Sequence, residues 1–231
     1  MSDPRGIYNE ATSWALDEDE MRLGREWLGY GSLNAPYWFI GLEPGGVYDP
    51  LFARFWIDSL GAAPTFDPRL DARVERNPWF LLGAHPQPTW KPLIETVLGF
   101  TGAEHDVLDY QQHRFGYAPP VGEVAVVELS AFAAMGSASP SPHRFTYLAD
   151  RMTTIRTALT MREKHPVFAV FYGTSQRAAF SEIVGGFCTD GFKWVGKTLC
   201  VLVQHPGAHG PRRDWRGLGR ELCYRIEADS A

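Results

Sequence analysis

Residues 37–46, Tyr-Trp-Phe-Ile-Gly-Leu-Glu-Pro-Gly-Gly, decide the fold class of this chain. The apolar run at 37–42 is typical of a buried strand, and the Pro-Gly turn that follows ends the strand. Glu43 therefore lies at the carboxyl end of a predicted strand. In open parallel sheets, ligands bind outside the carboxyl ends of the strands, so this stretch predicts both a strand and a candidate site residue.

A second unit of the same kind lies near the end of the chain. Residues 198–204 form another apolar run, and His205-Pro206-Gly207 follows it. The two units would bring a carboxylate and an imidazole, a possible general acid/base pair, to one edge of a sheet. The alternative is structural, because Pro-Gly turns commonly do no more than end strands.

The rest of the chain predicts an α/β fold, a three-layer α/β/α sandwich around a mostly parallel, roughly four-stranded sheet. The strands are expected at 37–42, 124–129, 167–172 and 198–204. The helices are expected at 17–28, 50–60, 90–98, 143–164, 175–184 and 212–225, with a hairpin at 195–197. Residues 1–231 would form a single domain, with an N-terminal helical segment at 1–34 and a proline-rich loop at 62–88. Four loops, 43–49, 130–141, 173–174 and 205–213, would leave the same edge of the sheet.

Composition limits the classes of function. The chain has 231 residues and a formal net charge of −5, which argues against a protein that coats nucleic acid electrostatically but allows a local basic patch. Its three cysteines are dispersed, which favours reduced thiols over a disulfide framework. No apolar run approaches the length of a membrane span, and we expect a cytoplasmic protein.

The strand-Gly-Leu-Glu-Pro-Gly unit and the strand-His-Pro-Gly unit together resemble the uracil-DNA glycosylase superfamily, over roughly residues 35–220. The resemblance implies a DNA repair hydrolase that flips a damaged or deaminated base and cleaves its N-glycosidic bond. It also implies the catalytic residues: Glu43 would activate water or stabilise the sugar cation, and His205 would donate a hydrogen bond to the departing base. The structural alternatives are a helix-capping Glu43 and a hydrogen-bonded loop histidine.

The resemblance also suggests residues that would bind the base. Phe52 or Phe55 would stack on the flipped base, although core packing is the commoner role of a helical aromatic residue. Glu128 and Ser130 stand where the family often has an asparagine that recognises uracil. An ionised carboxylate only accepts hydrogen bonds, so Glu128 would favour a base with an exocyclic amine over uracil.

Residues 207–213 resemble the family's minor-groove loop, although Gly207 replaces the family's serine. Over residues 207–220, four arginines against one aspartate give a net charge of +3. The residues expected to contact DNA are Gly45, Gly46, Gly207, His209, Arg212 and Arg213. The alternative for the arginines is a solvated helix face.

No cofactor is expected. The family's iron–sulfur branches use four cysteines, nucleotide-binding glycine motifs are absent from the sequence, and its histidines lack the spacing of a metal site. The expected partner is DNA or a free nucleobase or nucleotide. A binding protein of the same fold, which recognises a nucleobase or nucleic acid without cleaving it, is the second hypothesis.

Overall fold

The computed structural model describes residues 15–45, 65–66, 79, 83–116, 122–134, 143–160, 165–208 and 213–230. The helices in these ranges are α1 (Glu18–Glu26), α2 (Trp90–Thr101), α3 (Val107–His113), α4 (Leu148–Thr160), α5 (Arg177–Val184) and α6 (Trp215–Ser230), with a short 3-10 helix at Thr174–Gln176. The strands are β1 (Gly29–Tyr30), β2 (Tyr37–Gly41), β3 (Thr65–Phe66), β4 (Val124–Glu128), β5 (Phe168–Tyr172), β6 (Phe192–Val195) and β7 (Thr198–Val203).

The strands form one mixed sheet in the order β3-β1-β4-β2-β5-β7-β6. The strands β4, β2, β5 and β7 at its centre are parallel. The pairings of β1 with β4 and of β6 with β7 are antiparallel. The α/β class is as predicted. The sheet, however, is mixed and has more strands than the roughly four, mostly parallel strands that were expected. The short strands β1 and β3 extend it on one side and the hairpin strand β6 on the other.

The central strands are buried on both faces, which explains their nearly continuous apolar sequences. Alternate residues of β2 show the two faces: Trp38 and Ile40 belong to one core cluster, and Phe39 belongs to the other. Helices α4 and α5 pack on the first face, whereas α2, α3 and α6 pack on the second. Burial of each such large apolar side chain contributes about 1.5–3 kcal/mol.

Helix α1 begins where the sequence predicted. The Asp17 side chain accepts a hydrogen bond from the Glu20 backbone, and the Glu20 carboxylate accepts one from the Asp17 backbone. This reciprocal capping box fixes the first turn. The helix ends at Glu26, earlier than the predicted end at residue 28, because Gly29 and Tyr30 pair with β4 as strand β1.

Helix α2 continues past Gly99, where the sequence predicted its end. The left-handed residue that ends it is Gly102, with φ 67°. Gly99 instead lies against the backbone of Arg216, and Gly219 lies against the backbone of Thr96. The two glycines allow α2 and α6 to approach closely, so tertiary packing rather than capping explains Gly99.

The remaining boundaries differ in detail. Helix α4 begins at Leu148 after a turn, α6 begins at Trp215, and α3, capped by Asp106, was not predicted. The hairpin at 195–197 is confirmed, since β6 and β7 are antiparallel and Gly196 has φ 58°. The helix expected at 50–60 lies outside the described residues.

Candidate functional site

The candidate site lies at the carboxyl edge of the four parallel strands. After β2 the chain crosses to β4 on one side of it, and later strands β5 and β7 are added on the other side. The crevice between the ends of β2 and β5 is therefore the topological switch point, where open α/β sheets bind ligands. Glu43 follows β2 and His205 follows β7. Since β5 lies between them, these strands stand about 10 Å apart.

Glu43 is held in place by an arginine. Arg144, in the turn before α4, donates from Nε to Oε2 and from Nη2 to Oε1 of Glu43, so the pair is bidentate. The Arg144 and Glu43 side chains are only 11% and 9% exposed. Because both carboxylate oxygens are engaged, Glu43 is held in one orientation, and the charge of the pair is neutralised locally.

Glu128 is the last residue of β4 and is buried at the switch point. Tyr172, the last residue of β5, donates a hydrogen bond of 3.1 Å to Oε1 of Glu128. Both groups occupy the space that a side chain at Gly41 would fill. Burial raises the pKa of Glu128 to about 8, and the tyrosine hydrogen bond lowers it only partly. At neutral pH the carboxyl therefore carries a proton.

The state of Glu128 changes the expectation drawn from the sequence. The sequence treated it as an ionised carboxylate, which only accepts hydrogen bonds. A protonated carboxylic acid donates from one oxygen and accepts on the other, as an amide does. Burial and the pKa shift that burial causes remove the reason for preferring a base with an exocyclic amine.

The backbone next to Glu128 is held by the buried guanidinium of Arg151, a residue of α4. Its four hydrogen bonds, of 2.6–2.8 Å, go to the carbonyl oxygens of Gly24, Trp27, Glu128 and Leu129. Burial lowers the pKa of Arg151 to about 9, so the group is still charged at neutral pH. Arg151 thus ties the end of α1 to the end of β4.

The hydrogen bonding of His205 fixes its tautomer. The backbone N–H of Gly207 donates to Nδ1 of His205 over 3.0 Å, so Nδ1 is the acceptor and Nε2 carries the proton. The ring also packs on Tyr172, with centroids 5.6 Å apart. Desolvation lowers the pKa of His205 below its ordinary value. His205 is therefore a neutral imidazole at pH 7 that can donate from Nε2.

Ser130 and Gly45 have local structural contacts. The buried Ser130 hydroxyl accepts a hydrogen bond from the Phe132 backbone, which stabilises the turn after β4. The exposed Gly45 pairs with Ala134 in a short parallel bridge, so the loops after β2 and β4 continue the sheet for one pair. Ser130 therefore has a structural role that the sequence did not suggest.

The arginine-bearing loop is only partly described. Gly207 and Arg213 are exposed, and Arg220 forms an ion pair of 3.1 Å with Asp214. One arginine of the predicted basic patch is thus paired. The other residues that we expected to bind the base or DNA, namely Gly46, Phe52, Phe55, His209 and Arg212, lie outside the described residues.

Sequence reasoning did not identify Arg144 or Tyr172. Tyr172 could have been found, because it ends a predicted strand at the same edge as Glu43. Arg144 gave no signal, since it lies 101 residues from Glu43 in a turn without periodicity.

The described part of the chain contains no group of three or more histidine, cysteine or acidic side chains that could hold a metal ion. None of its helices is long and apolar enough to cross a bilayer.

In comparison with known proteins, the sequence matches no family model and no curated protein.

Proposed function

We propose that this protein is a DNA-glycosylase-like hydrolase that cleaves the N-glycosidic bond of a damaged or deaminated base. One observation carries the proposal: the strands flanking β5 lead into a fixed carboxylate, Glu43, and a neutral imidazole, His205, at one edge of the sheet. In this hydrolysis the bond from the base nitrogen to C1′ of the sugar breaks, and the oxygen of water bonds to C1′. The base leaves with the electron pair and takes up a proton.

The charges at the site suit that reaction. Positive charge develops on the sugar and negative charge on the base as the bond breaks. Glu43 keeps its negative charge while paired with Arg144, and each oxygen has a further lone-pair direction for a water molecule. Nε2 of His205 can donate a hydrogen bond to the anionic base without giving up a full positive charge.

The loops after β2 and β7 each contain an exposed glycine. Gly45 and Gly207 are exposed and carry no side chain, so a phosphate backbone can approach them closely. Arg213, six residues after Gly207 in the sequence, is exposed as well, and Arg212 precedes it. In a chain of net charge −5, this is the segment best suited to hold DNA.

The test is a cleavage screen with oligonucleotides that carry uracil, hypoxanthine, xanthine or a mismatched thymine, in single and double strands. We expect cleavage of at least one, with the rate lowered roughly 10²-fold or more in Glu43→Gln and in His205→Ala, because both groups act mainly on the transition state. Glu123→Gln is the matched control, since Glu123 precedes β4 at the opposite edge of the sheet. Equal rates in all four proteins would show that Glu43 and His205 are not catalytic.

The second candidate is a non-catalytic protein that binds a nucleobase, nucleotide or nucleic acid. The bidentate Arg144 pair favours it, because a carboxylate with both oxygens engaged can be purely structural. Binding of a base or of DNA without cleavage of any oligonucleotide in the screen would favour this candidate over the enzyme.

A further inference from the structure

A hydrogen bond at the carboxyl edge of the sheet crosses a whole strand. Glu128 ends β4 and Tyr172 ends β5, and β2 lies between these two strands. The Tyr172 hydroxyl nevertheless donates to Oε1 of Glu128 over 3.1 Å, in the space above Gly41. A side chain at Gly41 would overlap both groups, so the bond across β2 depends on glycine at this position.

The Tyr172 side chain is held at both of its ends. The residue is 5% exposed, and it belongs to the core cluster packed by α2, α3 and α6. Its backbone is fixed as well, because Tyr172 pairs with Val203 of β7 and the next residue, Gly173, donates to the Val203 carbonyl over 2.9 Å. A side chain whose ring is packed and whose hydroxyl is bound forms a rigid support at the end of β5.

His205, two residues after Val203, is exposed and rests against this support. The centroids of the imidazole and the Tyr172 ring are 5.6 Å apart, and their planes are inclined by 59°. The Gly207 N–H donates to Nδ1 over 3.0 Å, and this is the hydrogen bond that the ring makes within the described part of the chain. One exposed hydrogen bond offsets little more than the entropy lost in fixing a side chain, so a second contact is needed for one ring orientation to dominate.

We infer that Tyr172 is a positioning residue, which holds the His205 ring so that Nδ1 stays on the Gly207 N–H and Nε2 remains the donor. Glu128 acts one step further away, since its carboxyl fixes the hydroxyl of Tyr172. Neither Tyr172 nor Glu128 needs to touch a substrate for this role. The chain of contacts runs from β4 over β2 to β5, and it ends at the loop after β7.

The inference deepens the proposed function and rests on it for the reaction that His205 serves. A hydrogen-bond donor stabilises a departing base best when it is already oriented before the charge develops. The orientation itself is a property of the free protein, so it can be measured without a substrate. A tyrosine that served only to fill the core would affect stability and leave the His205 ring unchanged.

The first experiment observes the imidazole of the free protein by nitrogen-15 NMR, with His205→Ala to assign its signals. In wild type we expect one acceptor and one protonated ring nitrogen for His205, and a Gly207 amide that exchanges with solvent several-fold more slowly than in His205→Ala. In Tyr172→Leu, which keeps an apolar side chain but lacks the ring, Gly207 exchange should approach the His205→Ala rate. Tyr172→Phe loses only the hydroxyl and should lie between the wild-type and His205→Ala rates, and it tests the inference by itself if Tyr172→Leu does not fold.

Tyr110→Leu is the matched control. Tyr110 is buried in the same core cluster, and its hydroxyl also donates to a carboxylate over 3.1 Å, that of Glu123, but at the opposite edge of the sheet. The substitution removes the same atoms from the same core and should leave Gly207 exchange at the wild-type rate. Glu128→Gln is the conservative variant, because its amide oxygen can still accept from Tyr172, and it should also keep the wild-type rate.

The second experiment compares kcat and KM for an oligonucleotide that wild type cleaves in the screen. In Tyr172→Leu, kcat should fall about tenfold or more with little change of KM, since a misplaced donor weakens stabilisation of the transition state rather than binding. Wild-type exchange of Gly207 in Tyr172→Leu and Tyr172→Phe, an equal rise in Tyr110→Leu, or an unchanged kcat in Tyr172→Leu would overturn the inference. The expected NMR result without cleavage of any oligonucleotide by wild type would instead reject only the glycosylase proposal.

Discussion

The neutral Glu128 carboxyl should make the stability of the protein fall as pH rises. Its pKa is about 8 in the folded protein and 4.5 when unperturbed. Between these values the unfolded chain releases the proton while the folded protein keeps it. The folded state then binds more protons, so the free energy of unfolding is highest below pH 4.5 and decreases up to about pH 8.

Glu128→Gln removes this contribution with little change of shape. At about 1.4 kcal/mol per pH unit, the wild-type carboxyl costs about 3 kcal/mol at pH 7 and about 5 kcal/mol above pH 8. The free energy of unfolding of the variant minus that of wild type should therefore rise by about 4 kcal/mol between pH 5 and pH 8. Every other titrating group is common to both proteins and cancels in the difference.

Urea unfolding at pH 5, 6, 7 and 8, followed by tryptophan fluorescence, measures the difference. In Glu123→Gln the pH dependence assigned to Glu128 should persist. A difference between Glu128→Gln and wild type that stays constant over this range would refute the reasoning, because it would mean that Glu128 ionises alike in the folded and unfolded chains.

Three further predictions concern the site and its loop. Arg144→Met should destabilise the protein by roughly 3–5 kcal/mol in urea unfolding, because Glu43 would be left nearly buried without its partner; Arg144→Lys should cost less. Gly41→Ala should cost about 1–3 kcal/mol in the same assay, because its methyl group would overlap the buried carboxyl and hydroxyl at the switch point. Replacing Arg212 and Arg213 with alanine should weaken DNA binding about equally for all sequences and reduce the slope of log affinity against log salt by about 1–2; an unchanged slope would exclude them as phosphate contacts.

The central sheet could be predicted from the sequence because burial on both faces requires uninterrupted apolar runs. The predicted starts of the strands at 37, 124, 167 and 198 agree with the structure to within one residue. The two-residue strands β1 and β3 carry no periodicity and could not be predicted. The prediction that α2 ends at Gly99 was wrong. Gly99 is explained by a contact with a helix more than 100 residues later, which no local pattern reveals.

Of the candidate site, the sequence could predict only the residues that lie at strand ends and in the turns that follow them. Glu43 and His205 follow predicted strands, and Glu128 is the penultimate residue of another, so their approach to one edge could be inferred from topology. The partner of Glu43 could not be inferred from the sequence, because Arg144 lies in a turn. The protonation of Glu128 depends on its burial and on Tyr172, which are properties of the folded protein rather than of the residue type.

The guanidinium of Arg151 has a consequence for where the folding unit begins. Two of its hydrogen bonds reach the carbonyl oxygens of Gly24 and Trp27, at the end of α1. A shortened chain that starts after Trp27 would keep every strand of the sheet. It would, however, leave the buried Arg151 cation without two of its four carbonyl acceptors, next to the end of β4. We therefore expect a stable fragment to need α1, a helix that contributes no strand and no candidate site residue, because its end supplies two of the carbonyl groups that Arg151 binds.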